Sequence, residues 1–512
     1  MRTTIAAVLL CSSVSFANIL SVGPGQQYSM PCAAIAAANP GDTIEVDAAG
    51  NYNGDACGWT TDNLTVKGIN GRAKIDDTGM TVSQGKGIFV IGAPNATIEN
   101  FELAGAAVVD MNGAGIRFQG TNLTVRNCYF HDNEDGILSG PPTDGTGDIL
   151  IENSEFNHNG AGDGFSHNMY IGHSATFTLR YSYSHDSNVG HLVKTRAAVN
   201  TIVYNRLTDE NGDGSYEINV PNGGTTYVIG NLIEQSAASQ NHGIIDYASE
   251  GANPANPDQH LFVINNTVLN NAGAGTFVQV TAAADPAVIE NNIFTGGGNV
   301  TNQAGATLTS NWTDAMGAPL LVNAAGFDFH LQMTSPCIDV GTAPGSNGSF
   351  ALTPDHHYVH PISSEARTVA GNAIDIGAYE FNGGGGTGGG AGGGGGTGGG
   401  AATGGGAAAG GGAATGGGAA TGGGSATGGG AAAGGGAAAG GGAATGGGSA
   451  AGGGAATGGG AATGGGSGTG GGAAGGGGGS SSGTGCGCST GGEALLLLAA
   501  LTLGRKRRQS RR

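Results

Sequence analysis

Thr97-Ile98-Glu99-Asn100, Val125-Arg126-Asn127, Ile151-Glu152-Asn153 and Leu179-Arg180-Tyr181 repeat one phrase, a short apolar segment ending at a polar turn. It continues as Val203-Tyr204-Asn205, Ile229-Gly230-Asn231, Ile264-Asn265 and Ile289-Glu290-Asn291, in steps of 27, 26, 28, 24, 26, 34 and 26 residues, and only Tyr181 breaks the Asn. A period near 26 fits leucine-rich and helical solenoids as well, so the local pattern decides. Leu123 and Val125, Ile149 and Ile151, and Phe177 and Leu179 alternate with polar residues at period two, and Gly and Asn interrupt too often for helix pairs. A second short strand follows each rung, as in Ile116-Arg117-Phe118, Met169-Tyr170-Ile171, Leu192-Val193-Lys194 and Ile244-Ile245-Asp246. Two or three strands per turn make a parallel β-solenoid. With coils about 4.8 Å apart, eight rungs give a rod on the order of 40 Å, its Asn side chains stacked at one turn.

The rest of the 512 residues divides by composition. From 383 to 485 nearly every residue is Gly, Ala, Thr or Ser, which cannot bury enough apolar surface to offset its ordering entropy, so a disordered linker is expected. The folded body is 18–382. Of the 18 Lys and Arg, seven are Arg2 and the six in the last eight residues, so 11 cations in the body face 36 carboxylates, a formal charge of −25. That excludes general phosphate-backbone binding, and no nucleic-acid partner is expected.

The termini read as addresses. Arg2, an apolar run over 5–10 and a small-residue exit at Ala17 lay out a signal peptide over 1–17. At the other end, Cys486-Gly487-Cys488 precedes an apolar run over 494–503 and Arg505-Lys506-Arg507-Arg508. Ten apolar residues fall short of the roughly 20 that span a bilayer. The segment 486–512 resembles the C-terminal sorting tails of myxobacterial surface proteins. That resemblance implies processing at Cys486 or Cys488 and retention at the outer cell surface, with membrane contact through the tail alone; the secreted protein is expected to be a monomer. Cys32 and Cys57 would close a loop of about 25 residues, for which chain entropy gives roughly 3 kcal/mol, and are read as a disulfide. Cys128 and Cys337 are read as free buried thiols.

Over 19–381 the sequence resembles the right-handed parallel β-helix proteins of the pectate-lyase-like superfamily, from Gly23-Pro24-Gly25-Gln26 to Asp375-Ile376-Gly377-Ala378-Tyr379-Glu380-Phe381. The resemblance implies an all-β, single-stranded right-handed parallel β-helix. The helix-prone run 31–38 would cap the open N-terminal end of its core.

On such a rod, residues 23 to 30 apart are neighbours on one face. Asn168 and Tyr170, Lys194 and Arg196, Glu217 and Asn219, and Asp246 follow that spacing, with His191 close by, in a body short of cations. The catalytic candidates are Lys194, Arg196, Glu217 and Asp246; those for binding substrate are Asn168, Tyr170, His191 and Asn219. Two reactions compete. β-Elimination on a uronate polysaccharide needs a neutralised carboxylate and a base, which Lys194 becomes if Arg196 lowers its pKa. Glycoside hydrolysis needs two carboxyl groups, Glu217 and Asp246. Lys194-Thr195, Asn200 and Tyr204-Asn205 resemble the Lys-Ser and Asn-Tyr pattern of the alginate lyase and chondroitinase B family. Where that family carries Arg-His-Gly, this chain has Tyr216-Glu217-Ile218-Asn219, with no Arg, so the family's acid role has no matching residue at these positions. Asp209, Asn211 and Asp213 have the spacing of a Ca2+ loop, although Val220 stands where the twelfth-position Glu belongs; a tight acidic turn accounts for the spacing equally. The expected function is that of a cell-surface carbohydrate-active rod with a polysaccharide partner. Lyase, hydrolase and non-catalytic adhesin all remain open.

Overall fold

A computed structural model describes residues 17–239 and 241–382, with eight two-residue strands between 408 and 451. The expected signal peptide up to residue 16, most of the linker over 383–485, and Cys486, Cys488 and the rest of the sorting tail lie outside the described residues. The eight strands of the Gly-rich tract, from Ala408–Ala409 to Ala450–Ala451, pair in parallel at 18-residue steps.

Each complete turn of the body contributes three short strands, the turns at the ends fewer, and these stack into three parallel sheets of 12, 10 and 10 strands. Sheet 1 holds the repeated phrase and runs from Ile19–Val22 to Thr307–Thr309; sheet 2 follows it in each turn, from Ala73–Asp76 to Trp312–Thr313; sheet 3 runs from Cys57–Trp59 to Asn299–Thr301. Twelve rungs at the strand spacing of about 4.8 Å give a column on the order of 50 Å. The period-two alternation sends one side of every strand inward, so Ile98, Val125, Ile151 and Leu179 are fully buried in one continuous core. The helix Pro31–Ala37 closes its N-terminal end with Pro31, Ala34 and Ile35 buried. Cys32 and Cys57 are bridged, with Cα atoms 5.7 Å apart, and Cys128 and Cys337 are free and buried. No helix among the described residues is long and apolar enough to cross a membrane.

The Asn residues of the repeat lie at one turn, as the sequence leads one to expect, but in two adjacent columns. Asn100, Asn127, Asn153, Asn265 and Asn291 follow their strands directly and adopt left-handed backbone, φ 50 to 59°, which Asn tolerates better than most residues. Asn205 and Asn231 stand one position later. There they join Asn266, Asn292 and Asn311 in a buried inward ladder, each side-chain oxygen accepting the amide of the preceding rung at 2.9 to 3.0 Å. At the left-handed position these two turns carry Tyr204 and Gly230. The register therefore puts Val203, Ile229 and Ile264 on the outer face of sheet 1. They are buried even so, because Leu352 and Phe350 of the C-terminal segment cover them.

That segment, beyond the last turn, runs back along the rod. Asn291 donates to Thr342 O, Asn265 to Asp375 O and Asn153 to Ile362 O, at 2.7 to 2.8 Å. It covers parts of the outer faces of sheets 1 and 2.

Candidate functional site

Alternation in the three-residue strands of sheet 3 at this point turns the two flanking side chains inward and the middle ones outward. In Met169–Ile171, Val193–Thr195 and Ile218–Val220 those are Tyr170, Lys194 and Asn219. Register extends the column on sheet 3 from Arg117 and Leu138 below, through these three, to Asp246 and Gln279 above. Lys194, Asn219 and Asp246 thus share one outer face, and Arg196 joins them from just past its strand.

Tyr170 is the centre of this face. The Lys194 ammonium lies 5.1 Å and the Arg196 guanidinium 5.5 Å from its ring centroid, both within cation–π range. Arg196 Nε donates to the Tyr170 hydroxyl at 2.7 Å. The remaining Arg196 donors go to Asn222 Oδ1 and, bidentately at 2.7 and 2.9 Å, to the half-exposed Glu250 carboxylate. That pairing holds Glu250 below the usual carboxylate range. Lys194 differs: among the described residues no carboxylate lies within ion-pair distance of it. Burial and the neighbouring Arg196 charge lower its pKa below 10.5.

Asp246 faces outward but is covered. Asn219 Nδ2 and Ser249 Oγ donate to its Oδ2 at 2.6 and 2.5 Å, and burial raises its pKa. His191 is nearly buried and stacks on His167 with centroids 4.5 Å apart. Its Nδ1 accepts the Tyr216 amide at 3.2 Å, and burial followed by the Lys194 charge brings its pKa down to about 3, so it stays a neutral imidazole beside the lysine.

Three expected site groups lie elsewhere. Asn168 precedes its strand at the corner where the chain turns inward; it is fully buried, and its Nδ2 donates to Ser184 Oγ at 3.1 Å and to His185 O at 2.9 Å. Glu217 precedes Ile218–Val220 in the same way. It points into the rod, where burial raises its pKa well above 4.5 and Gln235 Nε2 is its hydrogen-bond donor at 3.4 Å. Glu217 and Asp246 therefore do not face a common groove, which removes the carboxyl pair of the hydrolase reading. The calcium loop does not converge either: Asp209 is buried, Asp213 Oδ1 accepts the Val189 amide at 3.1 Å, and the Asn211 amide donates to Asp186 Oδ1 at 2.8 Å. Among the described residues no three His, Cys, Asp or Glu side chains are arranged to hold a metal ion.

Residues 51–233 match the family described as right handed beta helix region, in agreement with the three-sheet coil. The body is a right-handed parallel β-helix. No curated protein matches the chain. Among solved structures, the crystal structure of pectate lyase Pel9A matches with 16% sequence identity and a TM-score of 0.47, covering 72% of this chain and 98% of that one.

Proposed function

We propose that the outer face of sheet 3 binds an acidic, uronate-containing polysaccharide outside the cell, where the C-terminal tail retains the protein, and cleaves it by β-elimination. The observation that carries this reading is the half-buried Lys194, unpaired among described residues beside Arg196. A lysine so placed gives up its proton more readily than a solvated one and stands ready as a base.

In the proposed reaction Lys194 takes the proton from C5 beside the uronate carboxylate. That electron pair forms the C4–C5 double bond, the C4–oxygen bond breaks, and the leaving oxygen takes a proton from the Tyr170 hydroxyl. The substrate carboxylate exchanges with Glu250 on the Arg196 fork, a geometry that suits any carboxylate. With the Glu250 carboxylate half in solvent the pair contributes on the order of 1 kcal/mol, so Glu250→Gln is expected to tighten acidic-oligosaccharide binding about fivefold by calorimetry. Weaker binding would mean that Glu250 helps to build the site rather than competing for it.

The pH dependence follows from the same charges. A lysine base acts unprotonated, so the rate rises with pH through the pKa of Lys194. Arg196→Gln removes a like charge and leaves Glu250, an opposite charge, unpaired nearby. Both changes raise the Lys194 pKa, and the rising limb of the kcat profile is expected at higher pH than in the wild type. A limb that stays or moves down would remove Lys194 as the base.

The reading as a whole is tested by incubating the full-length protein with polygalacturonate, alginate and chondroitin sulfate and following unsaturated-uronate absorbance and reducing ends. Both signals rising together supports elimination. Reducing ends alone would mean hydrolysis, and binding without either signal a non-catalytic rod.

A further inference from the structure

The left-handed turn position of sheet 1 is Asn in five turns, Gly in one, Ser in one and Tyr in two consecutive ones, Tyr181 and Tyr204, both at φ 56°. A bulky side chain rarely adopts that conformation, and residues held in it cluster at ligand sites. Asn at this position also makes bonds that Tyr does not, such as Asn127 Nδ2 to Asn100 Oδ1 at 2.9 Å. The two Tyr rings lie nearly parallel, 12° apart in plane with centroids 6.0 Å apart, and form a shelf. The next turn leaves room for it, since a Cβ at Gly230 would stand 2.7 Å from the Tyr204 ring.

Above the shelf is a cavity of about 380 Å³, walled by Phe350 and His356 of the returning segment and by Thr178 and Thr201, which pair across adjacent strands. Its charges are already matched: Arg180 Nε holds Glu152 at 2.7 Å, and Asp355 holds His356 Nδ1 at 2.8 Å. Tyr204 is itself buried and His356 lies against both rings. A ligand there therefore meets the rim of the shelf, chiefly the half-buried Tyr181, with Phe350 and threonine hydroxyls around it and no spare cation. A pyranose offers a matching surface, a face of C–H bonds edged by hydroxyls, and the cavity sets aromatic rings beside the hydroxyls of Thr178 and Thr201.

We infer that the Tyr181–Tyr204 shelf is a second carbohydrate site, taking one neutral sugar residue on a different sheet from Lys194. Its existence does not depend on elimination at Lys194.

The test uses full-length protein and the variant Tyr181→Asn, which installs the residue that five other turns carry at the same φ. Calorimetry with xylotriose, cellotriose and β-1,4-galactotriose, and with trigalacturonate as the anionic control, reads binding, and thermal melting reads the fold. The expected result is that a neutral trisaccharide binds wild type, that Tyr181→Asn weakens it tenfold or more, and that Tm is unchanged or higher while trigalacturonate binding is unaffected. The inference is overturned if none of the three neutral sugars binds, if binding survives the substitution, or if trigalacturonate binding is lost with it. A lower Tm for Tyr181→Asn would also overturn it, by showing that the ring serves to pack the returning segment.

Discussion

Arg367→Met is expected to destabilise the C-terminal segment by about 3–5 kcal/mol, the usual result of removing one partner from a fully buried ion pair. The side chains of Arg367 and Glu380 are both 0% exposed and meet at 2.9 Å. Arg367 also donates to the carbonyls of Gly377 and Asp375 at 2.9 and 3.1 Å, while Glu380 accepts the Ala370 amide at 3.1 Å. One side chain thus anchors the closing stretch that lies over sheets 1 and 2. Removing it leaves the buried Glu380 without its counterion, with only backbone amides as donors. In a repeat rod each turn contacts chiefly its neighbours, so the loss should appear in urea unfolding as an early transition of this segment ahead of the coils. The double variant Arg367→Met/Glu380→Leu is expected to recover most of the loss, because neither charge is then buried alone. A single variant as stable as wild type would show that the pair is not what holds the segment down.

The second large effect is chemical. Lys194→Ala is expected to lower the elimination rate by about 10²–10⁴-fold, the range that a positioned base contributes, with acidic-oligosaccharide affinity reduced far less. Lys194→Arg should not restore turnover, since a guanidinium stays protonated at any working pH. Loss of binding and rate in equal measure would instead assign Lys194 to substrate binding alone.

Much of this was legible from the repeat. The spacing of about 26 residues and the period-two alternation place Tyr170, Lys194, Asn219 and Asp246 on one outer column, as the register has them. Glu217 and Asn168 lie off that column because the alternation does not extend to the residue before each strand. In the three-residue strands of sheet 3 that carry the site only the middle side chain faces out, and the residue before the strand turns with the chain into the corner. The outward facing of Val203, Ile229 and Ile264 was hidden for a different reason: a face covered by a distant segment is apolar on both sides, and alternation then carries no sign of direction. Glu250, which holds Arg196, lies 54 residues from it in a loop, beyond any argument from adjacent coils. The Tyr181–Tyr204 shelf left one visible trace, the single break in the Asn pattern at Tyr181. Recognising the second Tyr needed the register.

The most direct measurement of the central claim is a crystal structure of full-length Lys194→Ala with a bound uronate oligosaccharide. The account predicts the sugar chain on the outer face of sheet 3, a carboxylate on the Arg196 fork in place of Glu250, and C5 of the adjacent residue turned toward position 194. An oligosaccharide seated on sheet 1 or sheet 2, with the Tyr170 and Arg196 face empty, would contradict it.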